Sequence, residues 1–289
     1  MRERTVSLNG QDFHIREWGD PSLPPLLMLH GFPEYGGAWE ELAGALSHRF
    51  RCVAPDQRGY GQSWCPEGVE NYTVPELVSD MVALVGDLGG RATLLGHDWG
   101  ASVAYNLAQR HPELFDRLII LNGVHTGPFR RALAKGGAQT QASQYISWLQ
   151  REGSDEKLME NDFAKLLVLF GDTMDMAWFT PEKREAYFKE WSRPGRMKAM
   201  VNWYRASQLM RDRAGPQPDA DPKTDPRRVT IPHLLIWGMG DTALLPEATE
   251  GLEDWCDDLT RVEFPDADHW IEHQKPQEVA GTILSWIDR

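Results

Sequence analysis

The sequence predicts an α/β protein: a mostly parallel twisted sheet flanked by helices, with a helical subdomain inserted in it. Three observations carry this expectation. Short apolar runs alternate with segments of helical periodicity. The runs at 92–96 and 118–121 are apolar without interruption, as strands buried on both faces are. The strand pattern stops near Thr126 and resumes only at His233.

Taken in chain order, Thr5–Leu8 and Phe13–Trp18 flank Asn9-Gly10, a hairpin signal because both residues tolerate the positive φ of a tight turn. Leu26–Leu29 and Arg51–Ala54 read as strands bounded by turn residues. Over Pro75–Leu88, Leu77, Met81, Val82, Leu84, Val85 and Leu88 recur at three- and four-residue steps, which predicts a helix. A strand at Ala92–Gly96 is followed by a helix from Ala101 to about Arg110, stopped by His111-Pro112. Leu118–Leu121 is a further strand. The stretch 126–228 is helical in pattern and rich in Trp, Met and Tyr, and its exit, Arg213 to Arg228, carries Pro216, Pro218, Pro222 and Pro226 as a stiff connector. His233–Trp237, a helix around Glu247–Trp255, Thr260–Phe264 and a helix over Pro276–Ile287 then complete the sheet. The expected organisation is a core of 1–125 and 229–289, with 126–228 as an inserted cap.

A chain of 289 residues accommodates such a core with its insertion. The net charge of −13, without any basic stripe, makes nucleic acid and anionic membrane poor partners. No apolar stretch approaches the ~20 residues that span a bilayer, and none follows Met1 as a leader would. Cys52, Cys65 and Cys256 are scattered and form no C-x-x-C pair, so they read as free thiols of a reducing compartment. A cytoplasmic protein, monomer or homodimer, is expected.

The chemistry concentrates at four strand ends. Gly96-His97-Asp98-Trp99-Gly100 lies between a predicted strand and a predicted helix, the context of a nucleophile elbow, with aspartate at the centre. A carboxylate is ionised at neutral pH, its reference pKa being ~3.9, so it needs no base to attack carbon. The alkyl ester left behind must be opened by water, and that step does need one. His269, in Asp268-His269-Trp270 after the last strand, is the candidate base, and Asp241, after the preceding strand, can hold its other ring nitrogen. Nucleophile, acid and histidine follow in that chain order. The turn His30-Gly31-Phe32-Pro33-Glu34 supplies Phe32 N–H as one oxyanion donor, and Trp99 N–H is the other.

These motifs, together with Asp56-Gln57-Arg58-Gly59-Tyr60-Gly61-Gln62-Ser63, resemble the series found in α/β-hydrolase fold epoxide hydrolases of the soluble type. The resemblance spans Phe13 to Ile287 and implies the α/β-hydrolase fold. In that family two cap tyrosines hold the epoxide oxygen. Asn202-Trp203-Tyr204-Arg205 is similar to the motif of the second, and Tyr145, five residues ahead of Gln150, resembles the first. A phenol suits this role because ring opening puts negative charge on oxygen, which a phenol can stabilise or protonate. The implied reaction is hydrolysis of a small hydrophobic epoxide to a vicinal diol, with water as co-substrate and no metal or organic cofactor. The alternatives are a haloalkane dehalogenase, from whose halide-binding pattern Phe32 departs, and a non-catalytic receptor for a hydrophobic ligand, which would not need this set of residues.

Overall fold

Eight strands make one sheet in the order β1-β2-β4-β3-β5-β6-β7-β8. They are β1 (Arg2–Leu8), β2 (Gln11–Trp18), β3 (Pro25–Leu29), β4 (Arg51–Pro55), β5 (Ala92–His97), β6 (Phe115–Leu121), β7 (His233–Gly238) and β8 (Leu259–Phe264). The computed structural model describes residues 1–210 and 221–289; the connector residues 211–220, with Pro216 and Pro218, lie outside the described residues. Asn9 and Gly10 take φ of 51° and 78° and close the β1–β2 hairpin, as their pairing predicts. From β4 onward every neighbour pair is parallel. Parallel strands need crossovers, and helices supply them on both faces.

The continuous apolarity of the central strands follows from this double covering. Leu27, Leu94, Leu118, Ile120 and Leu235 face the layer that contains α2 (Val74–Asp87) and α3 (Asp98–Arg110). Their neighbours Leu26, Leu95, Ile119, Leu234 and Ile236 face the other layer, with α1 (Glu40–Leu46) and, last in the chain, α11 (Pro276–Ile287). All ten are fully buried, and truncating one of them to alanine costs about 2–5 kcal/mol.

Between β6 and β7 the described residues form α4 (Thr126–Ala134), α5 (Ala138–Ala142), α6 (Gln144–Leu149), α7 (Ser154–Gly171), α8 (Pro181–Trp191) and α9 (Arg196–Ala206). Their indoles anchor them to the turns beyond the sheet: Trp191 Nε1 donates to Pro33 O at 2.6 Å and Trp203 Nε1 to Arg58 O at 3.0 Å. The single helix expected around Glu247–Trp255 is instead two short 3₁₀ turns, Pro246–Thr249 and Leu252–Trp255. Gly251, with φ of 74°, breaks the continuity between them. A four-residue helix, α10 (Ile271–Gln274), precedes α11.

Candidate active site

Asp98 opens α3 directly after β5, with φ of 47°, a left-handed conformation that costs a non-glycine residue about 1–3 kcal/mol. The flanking glycines permit the turn. A Cβ on Gly96 would lie 2.7 Å from Gly100 O, and one on Gly100 would run into the carbonyls of Leu29 and His30. Strand and helix thereby close up beneath the carboxylate, which receives Phe32 N–H on Oδ1 at 2.8 Å. Trp99 N–H, the other expected donor, belongs to the first helical turn and has no intrahelical acceptor. His30, behind this turn, is structural: its Nε2 accepts Gln57 N–H at 3.2 Å, and burial pushes its pKa down.

The structure brings the expected histidine and acid to the same strand ends. His269 Nδ1 donates to Asp241 Oδ2 at 2.7 Å, and its Nε2 stands 3.8 Å from Asp98 Oδ2. Asp241 takes Ala243 N–H and Leu244 N–H on Oδ1, each at 2.8 Å, and Asn122 Nδ2 on Oδ2 at 2.9 Å. Burial opposes the Asp241 anion, but His269 and these donors outweigh it, and its pKa lies below the usual value. Burial likewise opposes the His269 cation; Asp241 outweighs that and raises its pKa.

Tyr145 on α6 and Tyr204 on α9 face each other with ring centroids 6.1 Å apart. Tyr204 stands edge-on to Phe32 and to Trp99, each at 5.1 Å. Burial, with nearby carboxylates that include Asp98, pushes both phenols above their ordinary pKa, so both stay protonated. Gln150 ties the two helices together, its Nε2 donating to Tyr204 O at 3.0 Å and Leu209 O at 2.8 Å.

Three groups near the triad carry no role in the sequence reading. Asn122, at the end of β6, accepts Gly238 N–H at 2.7 Å while it holds Asp241, so it locks two strand ends together. Glu34 and His97, in quoted motifs, form a fully buried pair at 3.3 Å behind His269. The sequence signal for Asn122 and His97 is position, immediately after or at a strand end; Glu34 stands five residues past β3.

The segment after α7 is tied to the loops that carry Asp241 and His269. Thr173 and Thr242 share a hydroxyl hydrogen bond of 2.6 Å, and Asp175 N–H donates to Asp268 Oδ2 at 2.7 Å. Trp270 Nε1 donates to Phe170 O at 3.0 Å, and Trp178 stacks on His273 at 3.8 Å.

Residues 24–276 match the α/β hydrolase fold family. The AB hydrolase superfamily protein YfhM of Bacillus subtilis is 33% identical, over 98% of this chain and 96% of its own length. Epoxide hydrolase 1 of Caenorhabditis elegans is 30% identical, over 99% of this chain and 70% of that protein. A mutant of an epoxide hydrolase from Bacillus megaterium, crystallised with its product (R)-3-[1]naphthyloxy-propane-1,2-diol, has a TM-score of 0.89 at 28% identity, covering 99% of this chain and 100% of that one. Sequence and fold together make this chain a member of the α/β hydrolase fold family, an enzyme of its epoxide hydrolase branch.

Proposed function

We propose that the enzyme hydrolyses epoxides to vicinal diols through a covalent ester on Asp98. The observation that carries this reading is the pair of phenols, Tyr145 and Tyr204, which face each other across 6.1 Å, with Tyr204 edge-on to Trp99 next to Asp98. A halide leaving group needs no proton, so the phenol pair would be idle in a dehalogenase. Residues 126–228 act as the cap that brings both phenols over the nucleophile.

Asp98 Oδ2 attacks an epoxide carbon, the ring C–O bond breaks, and a phenol proton passes to the released oxygen. His269 Nε2 then takes a proton from water, whose oxygen adds to the ester carbonyl carbon. The resulting oxyanion lies on Oδ1, where Phe32 N–H already points, with Trp99 N–H as the second donor. Collapse expels the diol oxygen, which is protonated by His269, and the Asp98 proton returns to the tyrosinate. Water is the only co-substrate needed. The aromatic walls formed by Phe32, Trp99, Tyr145 and Tyr204 suit a small hydrophobic epoxide, and the Bacillus megaterium relative holds an aryloxy-propanediol. Three free cysteines fit a cytoplasmic setting.

A single-turnover experiment in oxygen-18 water, with enzyme in excess over epoxide, tests the covalent route. Unlabelled diol with label appearing in Asp98 is the expected result. Fully labelled diol in the first turnover would mean that water attacks the ring directly.

A further inference from the structure

Behind His269 lies a cluster of four buried titratable side chains: Glu34 after β3, His97 at the end of β5, and Glu272 and His273 on α10. Their hydrogen bonds fix most of the protons. His97 Nε2 faces His269 O at 2.9 Å, and a carbonyl only accepts, so Nε2 carries hydrogen. Glu34 Oε2 faces His97 Nδ1 at 3.3 Å; Glu34 Oε1 accepts from His273 Nε2 at 2.8 Å and from Tyr187 Oη, on α8, at 3.0 Å. Burial opposes a Glu34 anion, but its bonds to His273 and His97 outweigh that and hold its pKa well below the usual value, so Glu34 is ionised and His97, with a proton on each nitrogen, is the matching cation. Burial works against charge on His97, and the hydrogen bond and charge of Glu34 favour it. Lys183, also on α8, approaches the far nitrogen of His273 at 3.5 Å.

Glu272 differs from the other three. Its side chain is 1% exposed, and its oxygens receive no hydrogen bond among the described residues. Oε1 stands 3.1 Å from His97 Nδ1, out of line with that N–H, and 3.9 Å from His273 Nε2. The one imidazolium is already balanced by Glu34, and a second buried anion would have no donor.

We propose that Glu272 is a positioning residue: a neutral carboxylic acid, wedged against His97, that keeps His97 bonded to the main chain of His269 without adding charge behind the catalytic base. This rests on the reading of His269 as the base for ester hydrolysis. His97, as a cation, lowers the pKa of His269. An ionised Glu272 would offset that cation and keep His269 protonated to higher pH. The groups that face Glu272 are Glu34, His97 and His273, with Tyr187 and Lys183 next to them.

The test compares Glu272→Gln, a neutral isostere, with Glu272→Ala in single-turnover kinetics that resolve ester formation from ester breakdown. Glu272→Ala should slow breakdown at least about tenfold with formation little changed, as a displaced catalytic group does, and Glu272→Gln should restore breakdown. The acid limb of breakdown should stay in place in Glu272→Gln, and the infrared carbonyl band of a protonated carboxyl should be present in the parent and missing from that variant. Four results would overturn the proposal: no such band, an acid limb moved to lower pH in Glu272→Gln, both steps slowed alike in Glu272→Ala, or stoichiometric zinc bound to the purified enzyme through Glu272. If the parent itself forms no ester, the reading of Asp98 falls instead, while the infrared band still reports the charge of Glu272.

Discussion

Phe32 N–H donates to Asp98 Oδ1 at 2.8 Å, across 66 residues of sequence. The bond divides the labour of one carboxylate. Oδ1 is held by the main chain, where the proposed route forms its oxyanion, and Oδ2 is left to face His269 Nε2 across 3.8 Å.

Gly31 makes this approach possible. A Cβ at that position would lie 2.6 Å from Asp98 Oδ1 and 2.9 Å from Cγ. Gly31→Ala should therefore displace the nucleophile and slow ester formation by about a hundredfold, the scale of an ångström's misplacement. Thermal unfolding should change little, because the added methyl sits at a strand end and not in the packed layers. Unchanged ester formation in stopped-flow traces would show that the carboxylate can yield without harm.

His269→Gln should still alkylate. Mixing it with epoxide should give one equivalent of adduct on the peptide containing Asp98, detected by mass, with almost no turnover. A variant that binds substrate and forms no adduct would assign His269 to ring opening as well.

On the proposed route ester breakdown needs neutral His269, whose pKa lies above its ordinary 6.5 because Asp241 outweighs burial. Breakdown should therefore rise with pH through that raised value and level off above it, with ester accumulating on the acid side. Asp241→Asn removes the carboxylate that raises the pKa. Its acid limb should move to lower pH, and its plateau should fall because the ring loses its orienting partner. Rapid-quench measurement of the ester across pH decides this.

In the proposed ring opening each phenol donates to the same developing oxygen charge. Tyr145→Phe and Tyr204→Phe should each slow ring opening by about a hundredfold, close to 3 kcal/mol, and the double variant should nearly abolish it. Ester breakdown, measured separately, should be unaffected by either change. If Tyr145→Phe leaves every tested epoxide unaffected, its role passes to another residue over Asp98.

Much of this arrangement can be read from the sequence because Asp98, Asp241 and His269 each follow a strand at short range, and strands announce themselves by apolar runs. Tyr204 and Gln150 are found through local motifs in the same way. The cluster behind the triad is different. Glu34 and His97 are 63 residues apart in sequence, and the pairing of β3 beside β5 puts the loop of one next to the end of the other. No local pattern encodes that meeting. The misread helix at 247–255 has the opposite cause: Ala248, Leu252 and Trp255 are spaced as a helix would space them, but Gly251 in a left-handed conformation splits the segment into two turns.

The ties at Thr173 and Asp175 have a mechanical meaning. They fasten one stretch of the insertion to the loop beside Asp241 and to the loop beside His269, so any movement that widens access along this edge also pulls on the base and its partner. Opening of the insertion along this edge would therefore loosen the loops beside Asp241 and His269 together. Hydrogen exchange at the Asp175 amide should then rise in step with exchange in the Asp241 loop, and independent exchange of the two would uncouple entry from chemistry.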